Sequence, residues 1–416
     1  SLLFFLKPVC PPPSGLGPPS KYRGAPAGAE KPLCPGAPRI GGGPRFFEGN
    51  LMQTLTEYLT ENRVHSAPVI EYVPTGEIYR GVRALYYDLP AKDAAYRIFS
   101  YLALPQSPPP QGGYPAVVLL HGGNGMAYYE VARMWAKRGF AAIAPDLNGF
   151  CAQSTARRDV PNPNGGPHGY GTNVRGPHPW AYFSVLSAMR AADVLCSLPE
   201  VNADKLCSCG LSWGGWLNLL FAAKERRLKA VSIIYSSAYA WQSGWGAVQT
   251  ASLSPEERLR FEQADPQSCL AEITAPVFFT AGADDQAFSM ENRRRTAAAL
   301  RVPAFYSLRK SFPHANIYGF EEPESALFCS SVLSGRLPSR LQAVCRDGEI
   351  SVRGARRGDA LSLVCTSADP SLLPPPDWDE FPLNGKSVRL PAGCRAYFIA
   401  ALSKDGTKWS SPLYTV

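Results

Sequence analysis

LCSCGLSWGGWLNLLFAA, residues 206–223, joins two unlike periodicities across a single tight turn. Leu206–Cys209 is a short apolar run of the length of a buried strand, whereas Trp213–Ala223 carries apolar residues at helical spacing. Between them Gly210-Leu211-Ser212-Trp213-Gly214 fits G-x-S-x-G. Glycines on both sides of Ser212 let the chain fold back sharply, so that the serine hydroxyl stands clear at the end of a strand that opens into a helix. Cys207 and Cys209, two apart on the strand, should face the same side as small buried hydrophobes.

Outward from this turn, apolar strands alternate with helical stretches. Ala116–Leu120, Phe140–Ala144, Val231–Tyr235, Val277–Ala281 and Phe305–Leu308 read as buried strands, and Ile78–Tyr87 and Tyr96–Leu104 as two earlier ones. Helices are expected at Tyr128–Arg138, Trp180–Leu198, Glu291–Leu300 and Asn316–Leu333. The alternation implies an α/β fold, a mostly parallel sheet with helices on both faces. Active-site loops in such sheets lie beyond the carboxyl ends of the strands.

A serine hydroxyl needs a base to take its proton. Chains that carry this elbow place the acid and then the base after the nucleophile. Of five histidines, only His314 follows Ser212, and it lies just after the last strand in Phe312-Pro313-His314-Ala315-Asn316. No Asp or Glu occurs between Ala230 and Pro255, and the next strand ends in Gly282-Ala283-Asp284-Asp285-Gln286. One of that pair should orient the imidazole; Asp285 is taken first, with Asp284 holding the loop by local hydrogen bonds. The oxyanion needs amide donors. Trp213 N–H supplies one, and Gly123, with Asn124 as second choice, the other, from the loop His121-Gly122-Gly123-Asn124-Gly125. His121 itself is expected to stiffen that loop.

HGGNGMAYYEVARMWAKRGFAAIAPDLNG, GLSWGG, AGADDQAF and FPHAN, in this order and spacing, resemble the acetylxylan esterase and dienelactone-hydrolase-like branch of the α/β-hydrolases over roughly residues 75–410. The resemblance implies an α/β-hydrolase fold, a serine carboxylic-ester hydrolase acting through an acyl-enzyme on Ser212, and Asp285 as the acid. Dienelactone hydrolases proper use cysteine, so Ser212 favours the esterase side of the branch. Asn124 departs from the HGGGG that relatives often carry. The relatives continue into a small β-sandwich, and here Gln342–Cys345, Ile350–Arg353, Ala360–Cys365, Ser387–Leu390, Ala396–Leu402 and Leu413–Val416 read as short strands.

Three segments follow. Residues 1–51 hold eleven prolines and nine glycines and read as a disordered tail; 52–338 form the catalytic domain and 339–416 the β-sandwich. Met52 is the first methionine and is the expected translation start, with the preceding segment not native and the cytoplasm the expected location. Six basic and two acidic side chains fall in residues 1–51, half of the net +8, and no Lys/Arg block interleaves with aromatics, so no nucleic-acid surface is expected. No apolar run approaches the ~18–20 residues that cross a bilayer. Eleven cysteines without CxxC or Cys/His spacing point to free thiols and no metal, and the chemistry calls for no cofactor.

The expected partner is a small-molecule or oligosaccharide ester. Cys151–His178, with His168 and Arg175, and Ser236–Ser268, with Trp241 and Trp245, are insertions that should narrow the approach, and the tryptophans could stack on sugar rings. The expected activity is deacetylation of O-acetylated carbohydrate. A prolyl-oligopeptidase-type peptidase shares the triad, but only about sixty residues separate Met52 from the first central strand, too few for its propeller. A non-catalytic binding protein of this fold is the other alternative; a homo-oligomer is left open.

Overall fold

The computed structural model describes residues 53–73, 81–91, 94–123, 125–147, 180–242, 247, 250–251 and 253–416. Six strands make the parallel heart of the sheet: β4 (Tyr114–Leu120), β5 (Ala141–Pro145), β6 (Val201–Leu211), β7 (Leu228–Ile234), β8 (Val277–Gly282) and β9 (Ala304–Arg309). They lie in the order β5-β4-β6-β7-β8-β9. Their alternate residues feed two cores. Val118 and Leu120 of β4 point to one face with Trp216 and Leu220, while Val117 and Leu119 point to the other with Trp135 and Phe328. Burial on both faces is why these strands are largely apolar where they lie in the core: all of β5 and β8 and the last six residues of β6 are buried. On the second face Cys207 and Cys209 are fully buried, and all the described cysteines are free thiols.

Before this unit come α1 (Leu55–Asn62) and three strands, β1 (Ile70–Val73), β2 (Val82–Ala91) and β3 (Ala94–Ala103), which add antiparallel to β5. The covering helices are α2 (Tyr129–Lys137), α3 (Trp180–Ser197), α4 (Trp213–Lys224), α5 (Pro255–Ala264), α6 (Met290–Ala299) and α7 (Glu324–Leu333). The helix expected at Asn316–Leu333 is divided: a 3₁₀ turn occupies Asn316–Glu321, and α7 begins after Pro323. Proline lacks an N–H and disfavours helical backbone in the residue before it, so the chain restarts there.

The C-terminal strands are β10 (Gln342–Arg346), β11 (Glu349–Arg353), β12 (Ala360–Thr366), β13 (Asp379–Pro382), β14 (Ser387–Arg389), β15 (Ala396–Leu402), β16 (Lys408–Ser410) and β17 (Tyr414–Thr415). β10, β11 and β14 form a small sheet whose Ala343, Ile350 and Val352 pack against Leu363, Tyr397 and Ile399 of β12 and β15, giving the expected sandwich. No strand is expected from the sequence at β16. It pairs with β9 through Ser410 and Tyr306, so that β16-β15-β12-β13 extends the central sheet itself. The reverse faces of β12 and β15 bury Val364, Ala396 and Phe398 with Ala281, Met290 and Leu308. Among the described residues no helix is long and apolar enough to cross a membrane.

Candidate active site

The turn between β6 and α4 is forced by close packing. A Cβ at Gly214 would strike the carbonyl oxygens of Leu120 and His121, and one at Gly210 would strike the Gly214 carbonyl and lie 2.8 Å from the Asn218 Cβ. Only glycine at both positions lets α4 start directly beneath the end of β4. Ser212 between them has φ 54° and ψ −125°. That backbone costs a non-glycine residue on the order of 1–3 kcal/mol, and it is held by the Ser212 N–H to Ile234 O bond at 2.9 Å and by the α4 start.

His314 lies in the loop after β9, and its Nε2 is 2.7 Å from the Ser212 Oγ. Its Nδ1 is 3.0 Å from the Asp285 Oδ1. The ring packs on Tyr235, centroids 4.3 Å apart, and is stacked with Phe288 at 6.1 Å. The Tyr235 hydroxyl donates to Ala315 O at 3.1 Å, fixing the backbone beside the histidine. Burial pushes the Tyr235 phenol well up, so it stays a neutral donor.

Asp285 is buried in the turn after β8. Its Oδ1 also accepts the N–H groups of Ala287 and Phe288, at 2.8 and 3.2 Å, and its Oδ2 accepts from Arg293 Nη2. Burial alone would raise the carboxyl's pKa, but the Arg293 guanidinium, then His314 and the amide, hold it below the usual carboxylate range. An ionised carboxylate only accepts, so the proton between the pair sits on Nδ1 and the Nε2 lone pair faces Ser212. Asp284 accepts from Ser311 Oγ at 2.5 Å and from Phe312 N–H at 2.9 Å. It thereby ties the loop carrying His314 to the one carrying Asp285.

The glycine loop lies against the serine: a Cβ on Gly122 would be 3.3 Å from the Ser212 Cβ. His121 is buried beneath the loop, where burial drives its pKa down against the pull of Asp146. Its Nε2 accepts from Leu147 N–H at 2.9 Å, so Nδ1 carries the proton and donates to Gly122 O at 2.8 Å. A neutral imidazole thus pins the loop. Gly123 forms its turn; Asn124 lies outside the described residues. Trp213 is the first residue of α4, its amide at the positive end of that helix.

Of the other expected contacts, Trp245, His168 and Arg175 also lie outside the described residues. Trp241 is partly buried against the core, with the Arg258 guanidinium 5.8 Å from its ring centre. Sequence reasoning missed Arg293, Tyr235 and Asp265. Asp265 accepts from Tyr239 N–H, Ala240 N–H, Gln267 N–H and the Trp216 indole, all within 3.1 Å. Trp216 stacks on Trp213 at 4.3 Å, so Tyr239 and Ala240 are fastened through Asp265 to the helix that starts at the serine. Arg293 carried a readable signal: Met290, Arg293 and Thr296, three apart on α6, are all buried. Among the described residues no group of His, Cys, Asp and Glu gathers to hold a metal.

Three strand ends therefore converge on one polar chain from Arg293 through Asp285 and His314 to Ser212. No curated protein matches the sequence. The fold is similar to the acetyl xylan esterase from Paenibacillus sp. R4, with 19% identity over 68% of this chain and 92% of that one and a TM-score of 0.52. It is equally similar to acetyl xylan esterase 1 from Thermoanaerobacterium sp. JW/SL YS485, with 19% identity, 67% and 92% coverage and a TM-score of 0.53. Residues 98–326, which run from β3 into α7 and contain Ser212, Asp285 and His314, match the dienelactone hydrolase family. The chain belongs to the dienelactone hydrolase family of the α/β-hydrolase superfamily.

Proposed function

We propose that this hydrolase is a serine carboxylic-ester hydrolase that works through an acyl-enzyme on Ser212. The observation that carries the reading is the hydrogen-bonded series Ser212 Oγ, His314 Nε2, His314 Nδ1, Asp285 Oδ1, at 2.7 and 3.0 Å. As the Ser212 Oγ attacks the acyl carbon, its proton passes to Nε2, and Asp285 stabilises the imidazolium. The oxyanion meets the Trp213 N–H and an amide of the 121–125 loop; each such donor is worth about 10²–10³ in kcat. His314 then protonates the departing alcohol. In the second half it takes a proton from water, whose oxygen attacks the acyl-enzyme and releases the carboxylic acid and the Ser212 hydroxyl.

For the substrate we propose an O-acetylated sugar or short xylo-oligosaccharide. Support comes from the names of the two solved proteins that share the fold, and from the Trp241-bearing segment that Asp265 fastens next to α4. A fluorophosphonate probe tests the mechanism: stoichiometric labelling is expected at Ser212 and none in Ser212→Ala. Labelling elsewhere, or none at all, would overturn it. Acetate release from acetylated xylan, set against p-nitrophenyl acetate, then tests the substrate; turnover of the aryl ester alone refutes the carbohydrate assignment.

A further inference from the structure

The carboxylate of Asp285 has a partner on each side. One oxygen faces His314 and two backbone amides, and the other faces Arg293. Both members of this ion pair are buried, Asp285 at 1% and Arg293 at 4% exposure. Arg293 projects from α6, the helix that follows the Asp285 turn, and its Nη1 lies 3.5 Å from the Met290 Sδ. Among the described residues its Nε has no hydrogen-bond partner. The arginine is therefore not saturated by a structural network. Among the described residues its ion pair is with the acid of the proposed triad, and Asp284 stands further off in the same turn.

We infer that Arg293 is a positioning residue for the hydrolysis: it clamps the outer oxygen of Asp285, fixes the carboxylate plane for His314, and cancels part of the negative charge the imidazole feels. The inference rests on the serine-hydrolase reading. A buried carboxylate with no cation on its far side would favour the imidazolium strongly and keep His314 protonated to higher pH, where it cannot act as a base. A full positive charge beyond the carboxylate opposes that. Removing that charge is therefore expected to move protonation of the base to higher pH. Other ionisable groups among the described residues also face this cluster. Asp284 lies beside it in the same turn, Tyr235 comes from the end of β7 and Tyr306 from β9, and on α6 itself Arg294 is occupied by Glu291.

A cavity of about 230 Å³ adjoins Arg293, lined by Met290, Tyr306, Leu308 and Leu413 among others. Truncation of Arg293 opens into this space, which makes chemical rescue practicable. In Arg293→Ala the acidic limb of the kcat/KM profile for p-nitrophenyl acetate should move up by about one pH unit. Methylguanidinium should return it to the wild-type position, and N-methylurea, of the same shape without charge, should not. An unmoved limb in a folded variant, or equal rescue by the urea, overturns the inference and leaves Arg293 a packing residue. Should Arg293→Ala fail to fold, Arg293→Lys and Arg293→Gln decide: the limb stays at its wild-type position with lysine and rises with glutamine, and identical limbs refute. Fluorophosphonate labelling of the wild type is run alongside. A wild type that labels at Ser212 while the limbs do not differ defeats only the role of Arg293, whereas an unlabelled wild type defeats the hydrolase mechanism and the inference with it.

Discussion

Asp285→Asn changes one atom and should damage activity and stability by separate routes. The carboxylate receives three N–H donors on Oδ1 and the Arg293 guanidinium on Oδ2. An asparagine has one oxygen and one NH₂ for the same four donors. With its oxygen toward His314, its NH₂ points at the buried guanidinium. With the oxygen toward Arg293, the NH₂ confronts two backbone donors and forces the proton of His314 onto Nε2, where it faces the serine hydroxyl. In neither arrangement is the imidazolium stabilised by a charge, and the loss expected in kcat is about 10⁴-fold. Arg293, 4% exposed, is meanwhile left without its counter-ion, a change that costs about 3–5 kcal/mol in a buried pair. At roughly 2 °C per kcal/mol for a domain of this size, the melting temperature should fall by roughly 6–10 °C. Steady-state hydrolysis of p-nitrophenyl acetate and calorimetric melting read the two effects separately. The double variant Asp285→Asn/Arg293→Met should recover much of the melting temperature, because no unpaired charge remains, and none of the activity. A single variant within tenfold of wild-type kcat, or one that melts unchanged, would refute the reasoning.

Asp265→Ala removes the acceptor for four donors and should destabilise the protein by at least about 1–3 kcal/mol, read as a lower melting temperature, with an increased KM because Tyr239 and Ala240 lose their tie to α4. The two buried aspartates should also respond oppositely to pH. Burial raises the Asp265 carboxyl above its ordinary value, so its contribution is full below the unfolded pKa and is lost as pH rises through the folded one; Asp285, held low against burial by Arg293, contributes fully above its unfolded pKa and loses this as pH falls through its depressed value. The melting difference between wild type and Asp265→Asn should therefore be largest in acid and shrink toward neutrality. The difference for Asp285→Asn should run the other way, and parallel trends would contradict both assignments.

The heart of the fold was legible because the inner stretches of β4 to β9 are buried on both faces and are therefore dominated by apolar residues. What escaped was written in other terms. The three residues of β16, Lys408–Ser410, hold no apolar pattern, and their importance comes from partners distant in sequence, Tyr306 and Leu308 on β9 and Phe278 on β8. α1 and α5 are short and largely polar, but both begin with a capping box, Thr54 with Glu57 and Ser254 with Glu257. Those pairs were visible, and a search for apolar periodicity passes over them. The divided helix at 316–333 is likewise announced by Pro323, which the apolar spacing around it outweighed.

The site divides along a similar line. Ser212, Asp285 and His314, which the structure brings within hydrogen-bonding distance, could be singled out because the proposed chemistry demands particular residue types at strand ends in a particular order, and five histidines leave few alternatives. Tyr235, Arg293 and Asp265 act on those residues from places where many residue types would be chemically acceptable. Tyr235 takes a positive φ of 34° directly after β7, a strained backbone that no feature of YSS in sequence announces. Arg293 is one of three consecutive arginines on α6, and only the register of that helix decides that the first of them turns inward while Arg294 turns to Glu291. Register follows from packing against β8 and β9, and so from contacts distant in sequence. A charged residue in phase with the buried positions of a helix next to a candidate acid is nonetheless a usable signal. An arginine placed there without a partner would cost several kcal/mol. Its presence on the buried stripe therefore requires a carboxylate within reach, and Asp285 is the one it meets.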